Sequence, residues 1–163
     1  AQFEGEFKDR ARELQKQGKS STEIEAYYNV KMKMRNSVIQ SKFRKNLLDE
    51  FHFKCAICDI NDERLLIASH IVPYSRCSAD VNVAGDQNNG LILCNLHDRL
   101  FERAEFISFD HLTGKIMISN DVNSKKMKLY NVRLDTILDK KYLNQSRKEY
   151  LIVHNKLFKT TNH

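Results

Sequence analysis

The sequence has no tryptophan, one proline and five glycines in 163 residues. So little proline and glycine excludes a low-complexity or collagen-like chain, whereas the missing tryptophan excludes nothing. No run of about 18 apolar residues occurs, so no membrane partner or spanning helix is expected. The first twelve residues are charged and lack the apolar stretch of a secretory signal. The chain opens on Ala1 rather than Met, which fits a processed chain or a piece of a larger protein. Cysteine is also scarce, at positions 55, 58, 77 and 94 only. Without an export signal, such usage argues for metal or redox chemistry in a reducing, cytoplasmic compartment over a disulfide framework.

What is present suits one core with an appended arm. Hydrophobic residues make up 41% of the chain, and the net charge is +6 with a pI of about 9.1. Excess positive charge is compatible with a polyanionic partner without requiring one. Its placement says more. Between Lys31 and Lys54, Lys and Arg outnumber Asp and Glu seven to two. A solvated helix face is the ordinary reading of such a run.

The first 36 residues read as two polar helices split at Gly18-Lys19, with Ser20 and Glu23 forming a capping box for the second. Phe3, Phe7 and Leu14 give only a thin apolar stripe, so residues 1–36 are expected to form a helical arm, with the main domain over 37–163. From Ser37 to Phe51 the residues Ile39, Phe43, Leu47, Leu48 and Phe51 fall at helical spacing, which turns Lys42, Arg44 and Lys45 outward. Leu65 to Ala68 and Leu91 to Leu93 are short apolar runs of strand type around a polar loop, 74–88. Helical spacing returns at Leu96, Leu100 and Phe101. Further on, Phe106 to Phe109 and Lys115 to Ile118 flank Thr113-Gly114, the pattern of a hairpin. Leu134, Ile137 and Leu138 predict a short helix, and Tyr150, Leu151, Val153, Leu157 and Phe158 another. No internal repeat is visible.

Two pairs of residues with matching gaps carry the first chemistry. In Cys55-Ala56-Ile57-Cys58, two thiolates three positions apart can reach one tetrahedral Zn²⁺, at about 2.3 Å each. Cys94-Asn95-Leu96-His97 repeats the gap with an imidazole as fourth donor, giving an ordinary Cys₃His set. The alternatives are a redox pair, buried small residues, or Cys77 as fourth ligand in place of His97. His70 follows the first apolar run, and Asp98 opens the helix after the second. A histidine facing a carboxylate across a hairpin suits phosphodiester hydrolysis: a metal neutralises the phosphate while a neutral imidazole, with an ordinary pKa of about 6.5, takes a proton from water.

These segments together resemble the HNH (ββα-metal) endonuclease superfamily, and most closely its bacterial restriction-type branch. The stretch from Leu66 to Ser75 is similar to the general-base strand, Asn88 to Cys94 to the central asparagine motif, and His97 to Glu102 to the metal-binding helix. Weaker likeness at Arg35, Gln40, Phe43, Arg44, Phe106 to Phe109, Tyr150, Leu151, His154 and Phe158 extends it over about 35–158.

The resemblance implies an α+β fold with a zinc-bound ββα-metal core at about 55–103, flanked by helices and a C-terminal hairpin. It makes His70 the general base, and gives Asn89 the task of holding the loop between the strands. Zinc would sit on Cys55, Cys58, Cys94 and His97, and a catalytic Mg²⁺ or Mn²⁺ on Asp98. The reverse assignment, with His97 on the catalytic metal, stays open. Ser69 stands where many relatives carry an Asp or His ligand, which leaves that ion with fewer protein donors. Arg35, Lys42, Arg44 and Lys45, with Lys125, Lys126 and Lys128, are expected to grip double-stranded DNA. Restriction or other defence in the bacterial cytoplasm is the implied role, and a double-strand cut would need two protomers, making a homodimer one expected arrangement. The other readings are a zinc-stabilised binding module without cleavage and a nonspecific DNase or RNase toxin.

Overall fold

The computed structural model describes residues 2–73 and 81–162. The chain divides into two compact units, Ala1–Ser41 and Lys42–His163. The first holds helix α1, Gln2–Lys16, and the opening turns of α2, Ser21–Glu50. Gly18 takes φ +80° between the two helices, a left-handed conformation that glycine adopts without steric cost. The Ser20 hydroxyl accepts from the Glu23 amide at 3.2 Å and so caps α2.

One expectation is corrected here. The second arm helix and the basic helix over 37–51 are a single helix, because no glycine or proline interrupts the chain between Glu23 and Asp49. α2 ends where His52 and Phe53 turn left-handed, at φ 54° and 55°, and the Phe53 amide bonds back to the Leu48 carbonyl at 2.9 Å. That turn delivers the chain to Cys55.

In the second unit, β1 (Leu66–His70) and β2 (Gly90–Cys94) pair antiparallel, with Leu66 opposite Cys94 and His70 opposite Gly90. Every residue of β2 is buried, against Phe43, Leu47 and Leu48 of α2 among others. Gly90 is required at its position. A Cβ there would collide with the side chains of Leu47 and Phe43, which are themselves buried. Between the strands lie a short helix α3, Val81–Ala84, and a 3₁₀ turn, Gln87–Asn89. β2 runs directly into α4, Asn95–Phe101, completing a strand–strand–helix unit.

A second hairpin, β3 (Ile107–Phe109) with β4 (Ile116–Ile118), turns through Gly114 at φ +74°. The short helix expected around Leu134 to Leu138 does not form. Ile137 instead makes an isolated bridge to Lys115, and Leu134 is exposed. The apolar spacing there marks contact with the hairpin. Helix α5, Ser124–Leu129, was missed because its apolar content is slight; the Asn123 side chain caps it. The final helix α6, Gln145–Thr161, is capped by Asn144 and buries Leu151, His154 and Phe158. The architecture is mixed helix and small sheets. Among the described residues no helix is long and apolar enough to cross a membrane.

Candidate metal centre and active cleft

The left-handed turn after α2 and the start of α4 bring Cys55, Cys58, Cys94 and His97 together, with ligand atoms all within 4.8 Å of one another. His97 Nδ1 lies 3.3 Å from Cys94 Sγ and 3.5 Å from Cys55 Sγ, and Cys58 Sγ lies 3.9 Å from Cys94 Sγ. The other ring nitrogen, Nε2, donates to the carbonyl oxygens of Tyr130 and Asn131 at 3.0 and 3.1 Å. Those carbonyls hold the proton on Nε2 and aim the Nδ1 lone pair at the sulfurs, the orientation a metal-bound histidine needs. The Ile57 amide points at Cys55 Sγ from 3.4 Å, and the Ala56 amide ties the turn to Ile92 of β2 at 2.8 Å. Burial pushes the Cys58 thiol up to about 12, with Cys55 and Cys94 adding to it. Three sulfurs this close ionise together only when a cation compensates them, so the donor set fits Zn²⁺. Cys77 lies outside the described residues.

A second, separate feature opens at the other end of β1. A cleft of about 330 Å³ is lined by Ile67, Ala68, Ser69, His70, Pro73, Asp98, Glu102 and Arg103. His70 stacks on Phe43, with ring centroids 4.3 Å apart, and its Nε2 donates to the Ala84 carbonyl at 2.9 Å. The carbonyl accepts only, so the neutral ring carries its proton on Nε2 and its lone pair on Nδ1. Burial lowers the His70 pKa below the ordinary histidine value, opposed in part by the Ala84 carbonyl and the Asp98 charge. The ring is therefore neutral at pH 7.

Asp98 is half-buried one turn into α4, and burial raises its pKa. The Glu102 charge raises it further, while Ser69, His70 and Arg99 pull it down. Ser69 Oγ is buried and is the one such side-chain atom among the described residues that completes no hydrogen bond, although it lies near enough to Asp98 to affect its ionisation. A destabilised carboxylate beside an unsatisfied hydroxyl suits a hard divalent cation, which takes oxygen donors of both kinds. The structure thus separates the neighbours His97 and Asp98, which point to different centres.

Asn89 is fully buried and belongs to neither centre. Its Oδ1 accepts from the Val72 amide at 2.7 Å, and its Nδ2 donates to Val83 and Val72 carbonyls at 3.2 and 3.4 Å. Its own carbonyl accepts from the Ile71 amide at 3.0 Å. The side chain and backbone of one residue thereby tie together the two segments that flank His70 in the fold.

The basic residues divide. Lys42 and Lys45 are exposed on α2, as are Lys125, Lys126 and Lys128 on α5. Arg44 instead donates to the carbonyls of Leu66 and Glu63 at 2.6 and 2.9 Å, so its fork ties α2 to the start of β1. Arg35 belongs to the first unit. Of the other cleft residues, Glu102 enters the sequence resemblance only as the end of the metal-binding helix motif, with no role of its own, and Arg103 lies just beyond it. Glu102 stands four residues after Asp98, the helical spacing that places two side chains on one face.

Residues 55–107 match the family of HNH endonucleases, and the chain carries an HNH domain there. The matched segment begins at Cys55 and ends at the first residue of β3, so it holds both centres and is narrower than the 35–158 span of the resemblance. No curated protein matches the chain.

Proposed function

We propose that the chain is a metal-dependent endonuclease that hydrolyses phosphodiester bonds of double-stranded DNA, in restriction or a related defence of a bacterial cell. The observation that carries this reading is the meeting of His70, Asp98 and the unsatisfied Ser69 hydroxyl in one cleft of an HNH domain. His70 takes a proton from the attacking water at Nδ1, with its ring held by Ala84 and Phe43. Asp98, with Ser69 and Glu102 beside it, would hold a Mg²⁺ or Mn²⁺ ion. Bound there, such an ion neutralises phosphate oxygens and the leaving 3′ oxygen. Asn89 keeps the chain on either side of His70 in place. Lys42 and Lys45 supply salt-sensitive contacts to the phosphate backbone. Zinc on Cys55, Cys58, Cys94 and His97 is structural in this scheme. A double-strand cut would use two protomers.

The test is digestion of supercoiled plasmid with Mg²⁺ or Mn²⁺, beside His70→Ala and Asp98→Ala and a panel of single strands and RNA. Nicking by the wild type and its loss in both variants is expected. Because His70 must be neutral, the rate should fall only as pH drops below about 6.5, the ordinary histidine pKa. Tight binding with no cleavage under any ion would leave a zinc-stabilised binding module, and preferential RNA cleavage would move the substrate.

A further inference from the structure

The first turns of α6 reach back to the loop that carries Asn89. Asn144 Nδ2 donates to Asn88 Oδ1 at 2.8 Å, and the Tyr150 hydroxyl donates to Asp86 Oδ2 at 2.7 Å. Between them sits Arg147, which is 0% exposed. Its Nε donates to the Gly90 carbonyl and its Nη2 to the Gln87 carbonyl, both at 3.2 Å, so the guanidinium brackets Asn89 from either side in sequence. The remaining donors go to the two Glu50 carboxylate oxygens at 2.8 Å each and to the Tyr142 carbonyl at 2.9 Å.

All five N–H groups are thereby used, and no other side chain offers five donors in one plane. Glu50 is held in turn by Gln87 Nε2 at 2.9 Å. Burial pushes the Glu50 pKa up, but the hydrogen bonds from Arg147 and Gln87 and the Arg147 charge outweigh it, keeping the carboxyl ionised. A buried ion pair of this kind is weak evidence for stability, since desolvating two charges offsets their attraction. Its geometry argues for placement: two of the five bonds go to backbone carbonyls of the turn, which have no charge to satisfy.

We propose that Arg147 is a positioning residue for the cleft: it locks the 86–90 turn so that Asn89 meets Val72, and acts on His70 only through that turn. The inference rests on the roles proposed above for His70 and Asn89. Any loosening of the turn passes first to the Val72 amide, whose partner is Asn89 Oδ1, and then to the strand end that carries His70.

Amide hydrogen exchange, thermal unfolding and plasmid nicking of the full chain test this for Arg147→Lys and Tyr150→Phe. Lysine keeps the charge and loses the fork. In Arg147→Lys the Ile71 and Val72 amides should exchange about tenfold faster or more, while the Ile116 amide of the second hairpin keeps its protection. The kcat for nicking should fall about tenfold to a hundredfold with KM within about twofold. Tyr150→Phe should move the same amides in the same direction by a smaller factor, and it alone decides the matter if Arg147→Lys does not fold. Uniform loss of protection across all amides, or unchanged exchange at Val72, overturns the proposal. If the wild type fails to nick any substrate, the nuclease reading falls, and selective exchange at Val72 still establishes the clamp.

Discussion

The Val72 amide donates to Asn89 Oδ1 at 2.7 Å, across 17 residues of chain. One buried side chain therefore fixes the exit of β1, two residues beyond His70. Asn89→Ala removes that acceptor and the two Nδ2 donations, leaving the Val72 amide without its Asn89 partner. The expected cost is about 2–4 kcal/mol of stability, from the lost bonds and the desolvated groups they leave. Denaturant unfolding measures it. Asn89→Asp keeps the acceptor but turns a second, non-donating oxygen toward the Val72 and Val83 carbonyls in a fully buried site. It should therefore cost at least as much as Asn89→Ala; a clearly smaller loss would show that the Nδ2 donations contribute little.

The division of His97 from Asp98 predicts two separable metals. His97→Ala and Cys94→Ser should each abolish the roughly one Zn²⁺ per chain expected after dialysis, and lower the thermal midpoint, because metal binding at such a site is folding free energy. Asp98→Ala should retain that zinc and lose the weaker Mn²⁺ binding of the cleft. Elemental analysis and Mn²⁺ titration separate the outcomes. Zinc retained in His97→Ala but lost in Asp98→Ala would reverse the assignment.

A third expectation concerns pH and a histidine away from both centres. His154 is fully buried, stacks on Phe101, shares a 2.6 Å hydrogen bond between its Nδ1 and Ser108 Oγ, and donates from Nε2 to the Phe101 carbonyl at 2.8 Å. Burial drives its pKa down to about 4, against a weaker opposing effect of that carbonyl. The unfolded chain binds this proton near pH 6.5 and the folded one only near 4, so stability rises with pH between those values. Its contribution is fully present above about 6.5 and lost as pH falls toward 4, by about 3 kcal/mol over the window. His154→Phe should flatten that slope even though it lowers stability at pH 7.5. Unfolding curves at pH 7.5, 6 and 5 read the difference, and an unchanged slope would assign the acid sensitivity to other groups.

Much of this could be read along the chain. The Cys55–Cys58 and Cys94–His97 spacings, the two apolar runs and the start of α4 are local patterns, because strands, caps and metal knuckles depend on residues a few positions apart. The β-hairpin at Gly114 was legible for the same reason. The errors also have local causes. Apolar spacing at Leu134, Ile137 and Leu138 imitates a helix although the chain there bridges to Lys115 beside β4. A fresh apolar stripe from Ile39 imitates a new helix although the stretch from Glu23 to Asp49 holds no glycine or proline to end the old one.

Local spacing along the chain specifies the donors, the hairpin between them and the helix that follows. How the donors are shared out emerges only on folding. Consecutive residues on a helix point about 100° apart, so His97 turns to the cysteines while Asp98 turns to Ser69 and His70. Nor could spacing reveal that Arg147 lies against the turn of Asn89, or that Arg44 is spent on Glu63 and Leu66. Those contacts join residues 19 to 60 positions apart, and they exist because a guanidinium taken out of water must find acceptors wherever packing brings them.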